Sequence, residues 1–216
     1  MKTIMIAIPN EKYIESETFK SVYNLTVPDG YETYFYPFVN NQIDDARNTI
    51  ADESKKYDYL FFVDSDMVLP QDALVKLIQA DKPIISGLYI QRIPDTHTLE
   101  VYMDLENGGV GNIPYELINH RGIVEIAACG MGCCLIKTEI FKTMEYPYFH
   151  YTSALDHTYT VSEDVYFCIN ARKKGYTVWA DETIRCNHIG NILYNVKENT
   201  DDINDTFQPN MKKVFK

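Results

Sequence analysis

Apolar residues fall into two rhythms along this chain. One is a series of short strand-like stretches, over 3–9 (TIMIAIP), 31–38 (YETYFYPF), 58–63 (DYLFFV) and 82–92 (KPIISGLYIQR). The first, TIMIAIP, is unbroken and suits a strand covered on both faces, as in a parallel sheet. The other rhythm is helical. Ile43, Ala46, Arg47, Ile50, Ala51 and Ser54 recur at i, i+3, i+4, i+7, i+8 and i+11, one stripe of a helix. Residues 11–25 are a candidate helix, and a further helix follows Pro70 with Leu74, Leu77 and Ile78 turned inward. Strand and helix thus alternate over the first 90 residues. That alternation predicts an α/β fold with a mostly parallel, Rossmann-like central sheet flanked by helices.

The second half is less regular. Two strands are expected in GIVEIAAC and MGCCLIK, a short helix over about 138–144, and a helix in VSEDVYFCINARKKG. Ser162 is placed as the N-cap of that last helix and Gly175 as its stop. YTVWADETIRCNHIG adds one or two closing strands. The reading is one domain over 1–190 with a polar tail or wrapping segment over 191–216. The Gly/Asn-rich stretch 104–113 reads as a mobile loop able to act as a lid.

Composition narrows the function classes. The net charge of -11 argues against extended binding to a nucleic-acid backbone, which needs a basic face. An acidic protein that binds an anionic ligand needs a metal or a few arginines at the site. Five cysteines at scattered spacings suggest reduced, buried thiols and not a disulfide framework. The N-terminal apolar run is too short for a signal peptide or a membrane span. A cytoplasmic location is expected, the host cytoplasm if the chain is viral.

The candidate chemistry lies where strands end. Right-handed crossovers put the loops after parallel strands on one edge, where ligands bind in such sheets. Pro9, the Asp64-Ser65-Asp66 triplet and Arg92 all fall there. If the triplet is extended, Asp64 and Asp66 project to one side toward a hard cation while Ser65 points away. Arg47 sits on a small, apolar helix face and so requires an anionic partner. Arg47 and Arg92 are candidates for neutralising a diphosphate. His188, in the polar turn CNHIG, is a candidate third metal ligand. Glu163 and Asp164 follow the expected N-cap, where a carboxylate stays ionised and can act as a base. The glycines of ACGMGCC mark either a bulge or a backbone approached closely by a ligand.

IAIP, ARN, FFVDSDMVLP, GLYIQR, GMGCCLIKTEIF, SEDVYFC and CNHIG occur in that order over about 3–190. Taken together they resemble the GT-A fold, nucleotide-sugar-dependent glycosyltransferases, in their compact viral or bacterial form. The resemblance implies a nucleoside diphosphate sugar donor, with UDP as the family's usual nucleotide, and a glycan or other hydroxyl acceptor. It implies Mn²⁺ or Mg²⁺ on Asp66 and His188, with Asp64 on the ribose or in the metal's water shell. It implies Asp164 as the base of an inverting reaction, with Glu163 beside it. Pro9, Arg47, Asp64, Ser65, Asp66 and Arg92 become the donor-binding set. A retaining enzyme on the same fold stays open. A nucleotidyltransferase is disfavoured because IPNEKYIES lacks a glycine-rich phosphate loop after the first strand. A non-catalytic glycan-binding module is the remaining alternative.

Overall fold

The structure is a computed structural model, and it describes residues 1–93, 97–106, 108–153, 160–190 and 193–194. In chain order the elements begin with β1 (Lys2–Asn10), α1 (Ser16–Tyr23), β2 (Tyr31–Val39), α2 (Ile43–Ser54) and β3 (Tyr59–Val63). Next come β4 (Met67–Val68), α3 (Ala73–Ala80), β5 (Ile84–Leu88), β6 (Val101–Asp104), β7 (Val110–Asn112) and α4 (Tyr115–Ile118). They are followed by β8 (Ile123–Ile126), β9 (Ala128–Cys129), β10 (Cys133–Lys137), α5 (Ile140–Thr143), β11 (Thr152–Ser153) and β12 (Thr160–Val161). The last are α6 (Glu163–Lys173), β13 (Val178–Arg185), β14 (Asn187–Ile189) and β15 (Leu193–Tyr194).

Seven strands form one sheet in the order β2-β1-β3-β10-β5-β13-β8. β1 runs parallel to β2 and to β3, and β5 runs parallel to β13. β10 is antiparallel to both β3 and β5, and β8 is antiparallel to β13. The mostly parallel sheet flanked by helices is the one the alternation predicts. The antiparallel insertion of β10 is not visible in that alternation.

The continuous apolar runs are explained by two cores, one on each face. Met5, Ala7, Leu60 and Phe62 point to one side with Ile50 and Ala51 of α2 and Phe167 and Ala171 of α6. Ile4, Ile6, Ile8, Phe61 and Val63 point to the other with Val22 near the end of α1 and Leu74, Leu77 and Ile78 of α3. Neighbours in a strand face opposite ways, so a strand covered on both sides has no polar positions. Each fully buried Leu, Ile or Phe contributes about 1.5–3 kcal/mol by leaving water. No helix among the described residues is long and apolar enough to cross a membrane.

Two expectations change. The 104–113 stretch is not an open loop: β6 and β7 pair as a hairpin, and β6 also pairs with β9. Gly108 takes a φ of +84 in its turn, which closes through the Gly108 amide on the Leu105 carbonyl at 2.9 Å. Ser162 does precede α6 in extended backbone, but its hydroxyl donates to Asp164 instead of accepting from the helix. The tail over 191–216 falls outside the described residues except for Leu193 and Tyr194. At the far end of α6 the expected stop holds. Gly175, at φ +92, and Tyr176 return their amides to Arg172 and Ala171.

Candidate active site

The carboxyl ends of the parallel strands bring the singled-out residues to one edge. Pro9 and Asn10 end β1, Asp64 follows β3, Tyr89 through Arg92 follow β5, and His188 lies on β14 just beyond β13. β14 pairs with β4, His188 opposite Met67, and the Ile189 amide donates to the Asp66 carbonyl at 2.8 Å. This small sheet carries the late histidine to the early aspartate.

Asp64-Ser65-Asp66 is a turn, not an extended segment. The Met67 amide donates to the Asp64 carbonyl at 3.1 Å, and the Ser65 carbonyl accepts the Glu15 amide at 2.9 Å. The chain turns here because it must leave the central sheet to pair β4 with β14. The two carboxylates therefore part company. Asp64 Oδ1 accepts from Arg47 Nη2 at 2.9 Å. Asp66 Oδ2 lies 2.7 Å from Arg92 Nη1, and Asp66 Oδ1 lies 3.4 Å from His188 Nε2.

His188 is buried and packs edge-on against Tyr89, with ring centroids 5.7 Å apart. Its Nδ1 lies 2.9 Å from the Ile90 carbonyl. A carbonyl only accepts, so Nδ1 carries a proton; Nε2 faces Asp66 and donates to it when the ring is charged, and offers its lone pair to a metal ion when the ring is neutral. Burial pulls the imidazole pKa down, but Asp66 and the Ile90 carbonyl outweigh it and leave it raised. Histidine metal ligands are commonly held by such a bond on their other nitrogen. Asp66 and His188 form a pair, and no group of three metal-capable side chains occurs among the described residues. A pair fits an ion that takes its remaining ligands from water and substrate phosphates.

Arg47 has the anionic partners its position demands, and they belong to the protein. One amino group holds Asp64, and the other, Nη1, donates to Glu163 Oε1. Glu163 is buried and is also hydrogen-bonded by the Tyr151 hydroxyl. Its carboxylate is directed at Arg47 and Tyr151. Asp164 is half-buried, with Oδ1 accepting from the Val165 amide at 2.7 Å and from the Ser162 hydroxyl. Burial raises the pKa of both carboxyls, with Arg47 opposing. For Asp164 this corrects the expectation that the helix end alone sets its ionisation.

Two residues were not singled out by pattern. Tyr89 is buried, and its hydroxyl accepts the Gly132 amide at 2.9 Å. A Cβ at Gly130 would lie 2.1 Å from that hydroxyl, and one at Gly132 would lie 2.9 Å from the ring carbon bearing it. The glycines of ACGMGCC thus admit Tyr89, not a ligand. The same two Cβ positions lie 3.4 Å from Asp164 Oδ2 and 3.2 Å from Asp64 Oδ2, which puts Tyr89 between the carboxylates. Asn48, the neighbour of Arg47, donates to the Phe149 carbonyl at 2.7 Å and accepts the Tyr148 and Phe149 amides at 2.8 and 3.1 Å. A buried asparagine beside a buried arginine was the available signal.

No protein-family model and no curated protein sequence matches the chain. Solved structures do. The crystal structure of A197 from STIV is similar with a TM-score of 0.60 at 19% identity, over 92% of this chain and 96% of that one. A crystal structure of GalNAc-T7 with UDP, GalNAc and Mn²⁺ is similar with a TM-score of 0.60 at 13% identity, over 92% of this chain. The match spans 45% of the GalNAc-T7 chain, less than half its length. At such identities the likeness is one of fold: the chain has a glycosyltransferase-like, GT-A-type fold.

Proposed function

We propose that this protein is a metal-dependent glycosyltransferase that moves a sugar from a nucleoside diphosphate sugar, with UDP as nucleotide, to a hydroxyl of a glycan or other acceptor. The observation that carries the reading is Asp66 at the ligand edge of the sheet, with His188 Nε2 on one oxygen and Arg92 on the other. The GT-A-type fold supports it, as do the UDP and Mn²⁺ in the GalNAc-T7 structure.

Asp66 and His188 would hold Mn²⁺ or Mg²⁺, which when bound would supply Lewis-acid stabilisation of a diphosphate's negative charge. The side chain of Arg92 is 53% exposed, so its guanidinium is free to turn from Asp66 onto that diphosphate. Pro9 and Ser65 border the same edge and shape the donor's seat. Asp164 takes the proton of the acceptor hydroxyl. Ser162 and Val165 fix its Oδ1, and its Oδ2 lies toward Gly130. A carboxyl raised by burial is a stronger base than an exposed one, and such a base is worth about 10²–10⁴ in rate. The acceptor oxygen then bonds to the anomeric carbon on the face opposite the bond that breaks to the diphosphate, and this single displacement inverts that carbon.

The test is a panel of nucleoside diphosphate sugars incubated with the protein and Mn²⁺. The reading requires chelator-sensitive release of the nucleoside diphosphate, accelerated by acceptor. Release of pyrophosphate instead marks a nucleotidyltransferase. Binding without turnover marks a glycan-binding module. A product with retained anomeric configuration keeps the transferase and removes Asp164 as base.

A further inference from the structure

We propose that Arg47 is the positioning residue of this site: its guanidinium forks between Asp64 after β3 and Glu163 at the start of α6, holding the donor side and the base side in register, and it does not bind the donor's diphosphate. The inference rests on the transferase reading and goes beyond it. It assigns a residue that motif reasoning gives to the phosphates to a different task.

Three observations carry it. The first is saturation. Both amino groups are engaged by carboxylates, and only 4% of the residue is exposed. Its Nε is buried without a partner, so solvent does not reach the group from that side either. A phosphate could bind only by displacing Asp64 or Glu163, leaving a carboxylate buried without its cation.

The second is reach. Ala46, Ile50, Ala51 and Ser54 share the buried stripe with Arg47. These mostly small side chains let α2 lie close to the sheet, so a long side chain extends past the strand ends to the site. Asn48 holds the next position fast through its three hydrogen bonds to the 148–149 backbone. The arginine is thus presented from a helix fixed on both sides.

The third is connection. Asp64 begins the turn that carries Asp66, and Glu163 adjoins Asp164. Two segments far apart in sequence meet through one guanidinium. A planar fork can hold two carboxylates at once, whereas an ammonium is a point donor.

The test compares wild type, Arg47→Lys and Glu163→Gln in the full chain. Transfer kinetics and direct binding of UDP with Mn²⁺ are measured for each. Arg47→Lys should lower kcat by about 100-fold while donor KM and UDP affinity stay near wild type, because small misplacements of reacting groups carry losses of that size. Glu163→Gln keeps a neutral acceptor, is the variant less prone to unfold, and should show a smaller loss of the same kind. Loss concentrated in UDP affinity or donor KM, with kcat kept, overturns the proposal and returns Arg47 to the diphosphate. Unchanged kcat in both variants overturns it as well.

A second measurement separates this inference from the functional reading. In donor-free protein, hydrogen exchange is followed at the amides of Met67 and Tyr166, which bond to the Asp64 and Ser162 carbonyls. If Arg47 ties the two segments, Arg47→Lys speeds exchange at both. Exchange unchanged at both, or altered at one alone, overturns the tie whatever the enzyme does. A wild-type protein inert toward every nucleotide sugar overturns the functional reading and the catalytic part of the proposal, and leaves the tie to be judged by exchange.

Discussion

His188 Nε2 stands 3.4 Å from Asp66 Oδ1, while its Nδ1 is fixed on the Ile90 carbonyl at 2.9 Å. The ring is thereby committed to one orientation before any ion arrives. His188→Ala should weaken Mn²⁺ binding by about 10-fold or more. Calorimetric titration of Mn²⁺ in the presence of UDP reads this directly. Native affinity in the variant would remove His188 from the metal site.

The same pair makes a pH prediction for the metal-free protein. The raised pKa of His188 means that its charged form is favoured by folding, beside Asp66. The associated stability is complete below the unfolded value of about 6.5 and is lost as pH rises through the folded value. In chelator, denaturant midpoints of wild type and His188→Gln should diverge most at pH 5.5 and converge toward pH 8.5. Divergence that grows with pH would contradict the assignment of charge.

Asp164→Asn should leave UDP–Mn²⁺ affinity nearly intact and cut transfer by about 10²-fold or more. In wild type the acid limb of kcat/KM should lie above the ordinary Asp value of about 3.9, because burial raises the carboxyl. Activity that persists unchanged to pH 4 would exclude a buried base.

Gly130→Ala brings a methyl to within 2.1 Å of the Tyr89 hydroxyl. The substitution should cost about 1–3 kcal/mol, as over-packing does. Tyr89→Phe removes the colliding oxygen but leaves the Gly132 amide unpaired, at about 1–3 kcal/mol on its own. The double variant should therefore be more stable than the two single losses add up to. Urea midpoints for the four proteins decide it, and strict additivity would show that the contact is relieved elsewhere.

Asn48→Ala removes the acceptor for two amides and the donor to one carbonyl in the 148–149 backbone. A loss of about 1–3 kcal/mol is expected from the groups left buried. The effect is read as a drop in the urea midpoint with an unchanged slope.

What the sequence disclosed followed from local constraints. The runs at 3–9 and 58–63 announced doubly covered strands because each residue had to be apolar whichever way it faced. Arg47 announced an anionic partner because it sat among small buried residues, and the structure supplies Asp64 and Glu163, which no local pattern names. What stayed hidden depended on contacts between distant segments. The Asp64–Asp66 turn is dictated by pairing between β4 and β14, which no local pattern encodes. Tyr89 looked like one more aromatic in a strand, and only its hydroxyl against Gly130 and Gly132 sets it apart. The 104–113 hairpin was masked by its glycines, whose turn function and loop function look alike in composition.

The insertion of β10 between β3 and β5 bears on how the chain is made. During synthesis β3 and β5 both emerge before their shared neighbour exists. Until residues 133–137 leave the ribosome, each presents an open apolar edge of the kind that invites wrong pairing. The first hundred residues therefore cannot close the sheet co-translationally. A nascent chain halted near residue 100 should be protease-sensitive and chaperone-bound, and one extended beyond residue 137 should begin to gain protection in β3 and β5 together.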